Sequence, residues 1–92
     1  MTKILQDINL GVNLKRLRMD RGLTQEALCA RMGIEGRPMS QSNYALIESG
    51  KRNIFLSDLI TIKEILNISY DELFDGLTPL SRYEEEHQSG RR

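Results

Sequence analysis

Ninety-two residues suffice for one domain with a modest hydrophobic core and no more. Thirteen Lys plus Arg balance thirteen Asp plus Glu, and the lone cysteine, Cys29, rules out an internal disulfide. No apolar run approaches the roughly 18 residues needed to span a membrane, and no basic-then-apolar leader follows Met1, so a soluble cytoplasmic protein is expected.

The zero net charge hides an uneven distribution. Residues 1–53 carry nine Lys plus Arg against five Asp plus Glu, a balance of +4; residues 54–92 carry four against eight, or −4. A basic half is what a phosphate-bearing partner requires, although small domains without such a partner also show it. The composition is poor material for catalysis. With one Cys, one His (His87, near the C-terminus), no phosphate-cradling glycine loop and no paired ligand spacing, neither an active site nor a metal or cofactor is expected.

Residues 1–7 read as an N-terminal extension. Asp7 or Asn9 can cap the first helix, and Ile4, Leu5 and Ile8 fit either a prolongation of that helix or a partner subunit. From Leu10 to Asp20 an amphipathic helix is predicted: Leu10, Leu14 and Leu17 recur at i, i+4 and i+7, with Lys15, Arg16 and Asp20 outside and Gly22 at the end. A second helix runs from Thr24, a good cap, to Met32. Leu28 and Met32 share a face, and Gly33 is expected to be the left-handed stop. Six residues come next, Ile34 to Met39, in which Gly36 and Pro38 mark a loop.

A third helix opens at Ser40, buries Tyr44 and Ile47, and stops at Gly50. The fourth presents Phe55, Leu59, Ile62 and Leu66 as its inner stripe, Leu56 and Ile60 as a second, and Ile54 and Ile65 on a further side. One inner face does not need so much apolar surface. Part is expected to lie under a fifth helix and part to meet a partner. Asn67 ends the fourth helix in a left-handed conformation, and Ser69 with Glu72 forms a capping box. Leu73 and Phe74 anchor the short fifth helix, which Gly76 ends. Residues 77–92 are a tail in which Leu80 and Tyr83 dock locally or on a partner and the remainder is disordered.

The front of the third helix is unusual. Gln41, Ser42 and Asn43 are polar, uncharged and turned away from Tyr44 and Ile47. A glutamine or asparagine amide can donate one bond to adenine and accept another. Lys51 and Arg52 follow, where a phosphate can be held. A solvated helix start would look similar, and these residues alone leave both readings open.

Four stretches taken together are more specific: Leu14-Lys15-Arg16-Leu17-Arg18, Gly22 to Leu28, Tyr44 to Arg52, and Ile68 to Phe74. In this order they resemble the phage Cro and repressor-type helix-turn-helix family, also called the xenobiotic-response-element family. The resemblance covers roughly residues 10–75. It implies an all-α, compact five-helix bundle of the lambda-repressor-like DNA-binding type over residues 8–76. The loop between helices two and three is longer than the usual turn.

The resemblance further implies an ion pair between Arg18 and Glu48, a small buried residue at Cys29, and a backbone-contacting role for Gln25 beside a neighbouring glutamine. It leaves Leu46 on the reading side, where a leucine can touch a thymine methyl or a protein surface. Arg37, in the loop, either reaches a phosphate or decorates a harmless bulge. Symmetric pairing at the far end of the bundle makes Ile65, Ile68, Tyr70 and Phe74 interface candidates, with ordinary core packing the first expectation for Phe74.

The expected function is that of a sequence-specific DNA-binding regulator, a repressor or autoregulator, acting as a homodimer on an inverted repeat in double-stranded DNA. Gln41, Ser42 and Leu46 would read bases, Ser40 and Asn43 would lie at the groove edge, and Gln25, Lys51, Arg52 and Arg37 would hold the backbone. The alternative is an interaction module that binds a toxin or polymerase subunit, through the third helix or the apolar surface of the fourth.

Overall fold

The computed structural model describes residues 3–4 and 6–81. In chain order it contains β1 (Lys3–Ile4), α1 (Leu10–Asp20), α2 (Gln25–Ile34), α3 (Gln41–Glu48), β2 (Ile54–Phe55), α4 (Leu56–Leu66) and α5 (Tyr70–Leu73). The all-α bundle is therefore present, with five helices and one small addition. Leu5, Tyr83, the acidic run at Glu84 to Glu86 and His87 lie outside the described residues, as does most of the expected tail. No helix among the described residues is long and apolar enough to cross a membrane.

The core follows the predicted periodicities closely. Leu10, Leu14 and Leu17 of α1 pack with Leu28 and Met32 of α2, Tyr44 and Ile47 of α3, and Leu59, Ile62 and Leu66 of α4, all buried. Ile54, Ile68 and Leu73 complete the cluster, and Cys29 and Met39 lie against it. Burial pushes the Cys29 thiol up, as does the nearby Glu48 charge, which suits packing rather than nucleophilic chemistry.

Three expectations are corrected. The first concerns the N-terminal extension, which does not prolong α1 but pairs with a later stretch of the same chain. Lys3 and Ile4 pair antiparallel with Phe55 and Ile54. Gln6 then straps the segment to the end of α3, donating from Nε2 to the carbonyls of Ile47 (3.1 Å) and Arg52 (2.7 Å). Because Ile54 and Phe55 are extended, α4 starts at Leu56 with Phe55 as its N-cap, so Ile54 is a core residue of the strand and not a side of the helix.

The second concerns Gly33, which lies inside α2. That helix runs on to Ile34, and Gly36 (φ 85°) is the left-handed residue. The Gly36 and Arg37 amides donate to the carbonyls of Gly33 (3.1 Å) and Met32 (2.9 Å), the paired bonds of a Schellman ending. The connection to α3 is consequently Glu35 to Ser40. Asn67 (φ 53°) ends α4 by the same pattern, as expected.

The third concerns the C-terminal end. The Ser69–Glu72 capping box forms, and Leu73 anchors α5. Phe74, however, is 45% exposed, and α5 is a single turn held largely by α1: buried Asn13 donates from Nδ2 to the carbonyls of Leu73 and Asp75, each at 2.9 Å. Ile68 is buried within this chain's own core, whereas Tyr70 is 50% exposed.

Candidate nucleic-acid interface

The α3 helix is locked from behind. Arg18 of α1 donates from Nε to Glu48 Oε2 (3.0 Å) and from Nη2 to Glu48 Oε1 (2.8 Å), a two-point contact between buried side chains. A third donation, from Nη1 to the Leu23 carbonyl (2.7 Å), ties the pair to the start of α2. Burial disfavours the Glu48 charge, but the Arg18 hydrogen bonds and charge outweigh it, and the carboxyl ionises below the ordinary glutamate range. The pair is the one the family resemblance implied.

Tyr44 lies fully buried beside this pair, and its hydroxyl has no hydrogen-bond partner. Burial, then the neighbouring carboxylate, pushes the phenol far above its usual range. A close backbone approach completes the lock. Gly11 of α1 faces the carbonyls of Ile47 and Glu48, where any side chain would meet the main chain of α3.

With its inner face held in this way, α3 turns Gln41 and Ser42 outward, both exposed, and leaves Leu46 half-buried. The Gln41 side chain makes no hydrogen bond with another described residue, so both ends of its amide are available. Ser40 caps the helix by accepting from the Asn43 amide (3.1 Å), and its hydroxyl lies 3.4 Å from that of Ser42. Asn43 accepts from Arg52 Nη1 (2.6 Å), which draws the loop after α3 against the helix. Lys51 is exposed alongside.

Two residues expected at the phosphate backbone also make contacts within the bundle. The Gln25 side chain donates to Glu48 Oε1 (3.4 Å), joining the buried pair. Arg37 donates from Nε to Asp58 Oδ1 of α4 (2.7 Å) and is half-buried. A groove of about 560 Å³ runs beside α3, lined by Lys3, Asn43, Lys51, Arg52 and Asp58 among others. Lys3 thus joins the basic residues at the end of α3, a placement that depends on the unforeseen strand pairing.

Several structural residues carried too little sequence signal to be found. Asn13, Gln6 and Arg21, which donates to the carbonyls of Leu66 (2.7 Å) and Asn67 (3.1 Å), each bind a backbone oxygen more than 40 positions away. Such contacts leave no local pattern. Gly11 did leave one, a glycine inside a helical stretch, which signals close backbone approach.

A short capped helix, a second helix set across it with polar side chains on its outer face, and a buried ion pair fixing the two to the bundle define a helix-turn-helix domain. The chain matches the Helix-turn-helix family over residues 14–73, and it belongs to that family of DNA-binding transcriptional regulators, of the Cro and repressor type. It is 35% identical over 71 residues to control protein C.MunI of a Mycoplasma species, covering 76% of this chain and 89% of that one. To an uncharacterized HTH-type transcriptional regulator, y4dJ, of Sinorhizobium fredii it is 38% identical over 64 residues, covering 70% and 77% respectively. No solved structure gives a significant match.

Proposed function

We propose that two copies of this chain bind an inverted-repeat operator, each laying α3 in the major groove, and thereby repress or autoregulate a promoter. The observation that carries this reading is the contrast along α3. Its inner side is buried at Tyr44 and Ile47 and locked through Glu48, while its first turn leaves Gln41 and Ser42 exposed to solvent. Gln41, Ser42 and Leu46 read base edges, while Ser40 and Asn43 lie at the groove edge. Lys51 and Arg52 neutralise phosphates, with Gln25 at the start of α2 beside the backbone. The relatives named a control protein and a transcriptional regulator support the regulatory reading.

A single helix reads only a few base pairs, so affinity calls for two-fold symmetry with half-sites about one helical turn, roughly 34–36 Å, apart. Tyr70 and Phe74, both exposed, together with half-buried Ile65, are the proposed self-association surface.

Selection from randomised duplex DNA tests this directly. Enrichment of an inverted repeat is expected, and Gln41→Ala or Ser42→Ala should each weaken site-specific binding by roughly 1–3 kcal/mol for every base pair no longer read. Recovery of a lone half-site would remove the dimer. No enrichment by a folded protein would reassign the domain to protein binding.

A further inference from the structure

Most helix-turn-helix units set the angle between their two helices with a turn of three or four residues. Here six residues, Glu35 to Ser40, separate α2 from α3, and a longer connection alone fixes no angle. Something else must hold the entry to α3. At its midpoint stands Arg37, whose backbone amide is bonded to the end of α2 (Met32 O, 2.9 Å) and whose guanidinium meets Asp58 in the first turn of α4 (2.7 Å). Asp58 is 7% exposed and lines the same groove as Asn43 and Ile47 of α3. Met39, two residues further on, packs against the core immediately before the Ser40 cap.

We propose that Arg37 is a positioning residue: by bridging the end of α2 to Asp58 of α4, it replaces the missing tight turn and sets the orientation in which α3 meets DNA. The proposal rests on the DNA-reading function above and assigns the insertion a purpose within it. Arg37 acts through Asp58 and does not itself touch a phosphate. An ion pair shielded to this degree is weakened less by salt than one in open water, so the strut holds at the ionic strengths where DNA is bound.

The test has two arms. Without DNA, amide hydrogen exchange is followed by NMR in wild type, Arg37→Ala, Asp58→Asn and the double variant, each shown to be folded by circular dichroism. Faster exchange at the start of α3, with α1 unchanged, is expected in all three variants. Unchanged exchange at the start of α3 overturns the proposal whether or not the protein binds DNA.

With DNA, the four proteins are titrated against the selected operator and a scrambled duplex over a range of salt. Each single variant should lose about tenfold in site-specific affinity, with the double variant no worse than either single one. Non-specific binding and the salt slope should stay as in wild type. A salt slope reduced by about one in Arg37→Ala, with Asp58→Asn binding normally, would instead make Arg37 a phosphate ligand and refute the strut. Operator binding unaltered in all three variants would also refute it. Failure of the wild type to select any sequence, with the exchange result as expected, would count against the DNA-reading function alone.

Discussion

Replacing Gly11 with alanine adds one methyl group where α1 crosses the end of α3. The new carbon would sit 2.6 Å from the Ile47 carbonyl oxygen and nearer still to the carbonyl of Glu48, whereas ordinary contact begins near 3.4 Å, so the helices must part by at least about 0.8 Å. No flexible side chain is available to yield, because the obstacle is main chain. Alanine is the better helix former by no more than about 1 kcal/mol. Overpacking of this kind costs about 1–3 kcal/mol, and parting the helices also stretches the Arg18–Glu48 contact.

A net loss of about 1–2 kcal/mol is expected, or roughly 4–16 °C in Tm for a domain of this size. Gly33 supplies the control, since it is also helical and nothing lies within 4 Å of a carbon placed there. Gly33→Ala should leave stability unchanged or raise it by up to about 1 kcal/mol. Urea unfolding followed by circular dichroism compares the two. Equal stability of the two variants would refute the claim that Gly11 is present for close approach.

Because the Glu48 carboxyl is held below its usual range when folded, it contributes stability that is complete above the unfolded value of about 4.3 and is lost as pH falls through the folded one. Glu48→Gln should therefore be less stable than wild type by about 3 kcal/mol or more near pH 7, with the gap narrowing under acid; a gap constant from neutral to acid in pH-dependent unfolding would contradict this. Asn13→Leu leaves the buried Leu73 carbonyl without its donor and should cost about 1–3 kcal/mol, with amide exchange in α5 accelerating more than in α2. Tyr44→Phe removes a buried hydroxyl that faces the Glu48 carboxylate without a hydrogen bond of good geometry, so stability should change by no more than about 1 kcal/mol in thermal melts, and a larger fall would mean that the hydroxyl is bonded.

Helix positions were legible because burial repeats with the period of the helix: Leu10, Leu14 and Leu17 announce α1, and Leu59, Ile62 and Leu66 announce α4. Three caps were equally legible, since Thr24, Ser40 and Ser69 act on residues three positions away, whereas Asn9 precedes α1 without a side-chain cap bond. What escaped was non-local. The pairing of Lys3 with Phe55 unites two stretches too short to carry an alternating pattern. Gly33 and Gly36 both look like helix stops in sequence, and only the bonds closing on Met32 and Gly33 choose between them.

The candidate site divides in the same way. Ser42 follows from helical phase and Gln41 from its place at the opening of α3, whereas the inward turn of Arg37 depends on an acid 21 positions away. Phe74 was misjudged as core because a single-turn helix is too short for periodicity to assign its faces.

The bonds from Asn13 to Leu73 and Asp75 span 60 and 62 positions, which has a bearing on synthesis. At about 5–20 residues per second, α1 leaves the ribosome roughly 3–12 s before the segment that receives its amide. For that interval Leu10, Leu14 and Leu17 lack their full complement of neighbours, and the buried amide has only water to bind. The first helix made is thus the last to be fully enclosed, and a nascent chain halted before Leu73 presents a bundle open along the side that α5 closes.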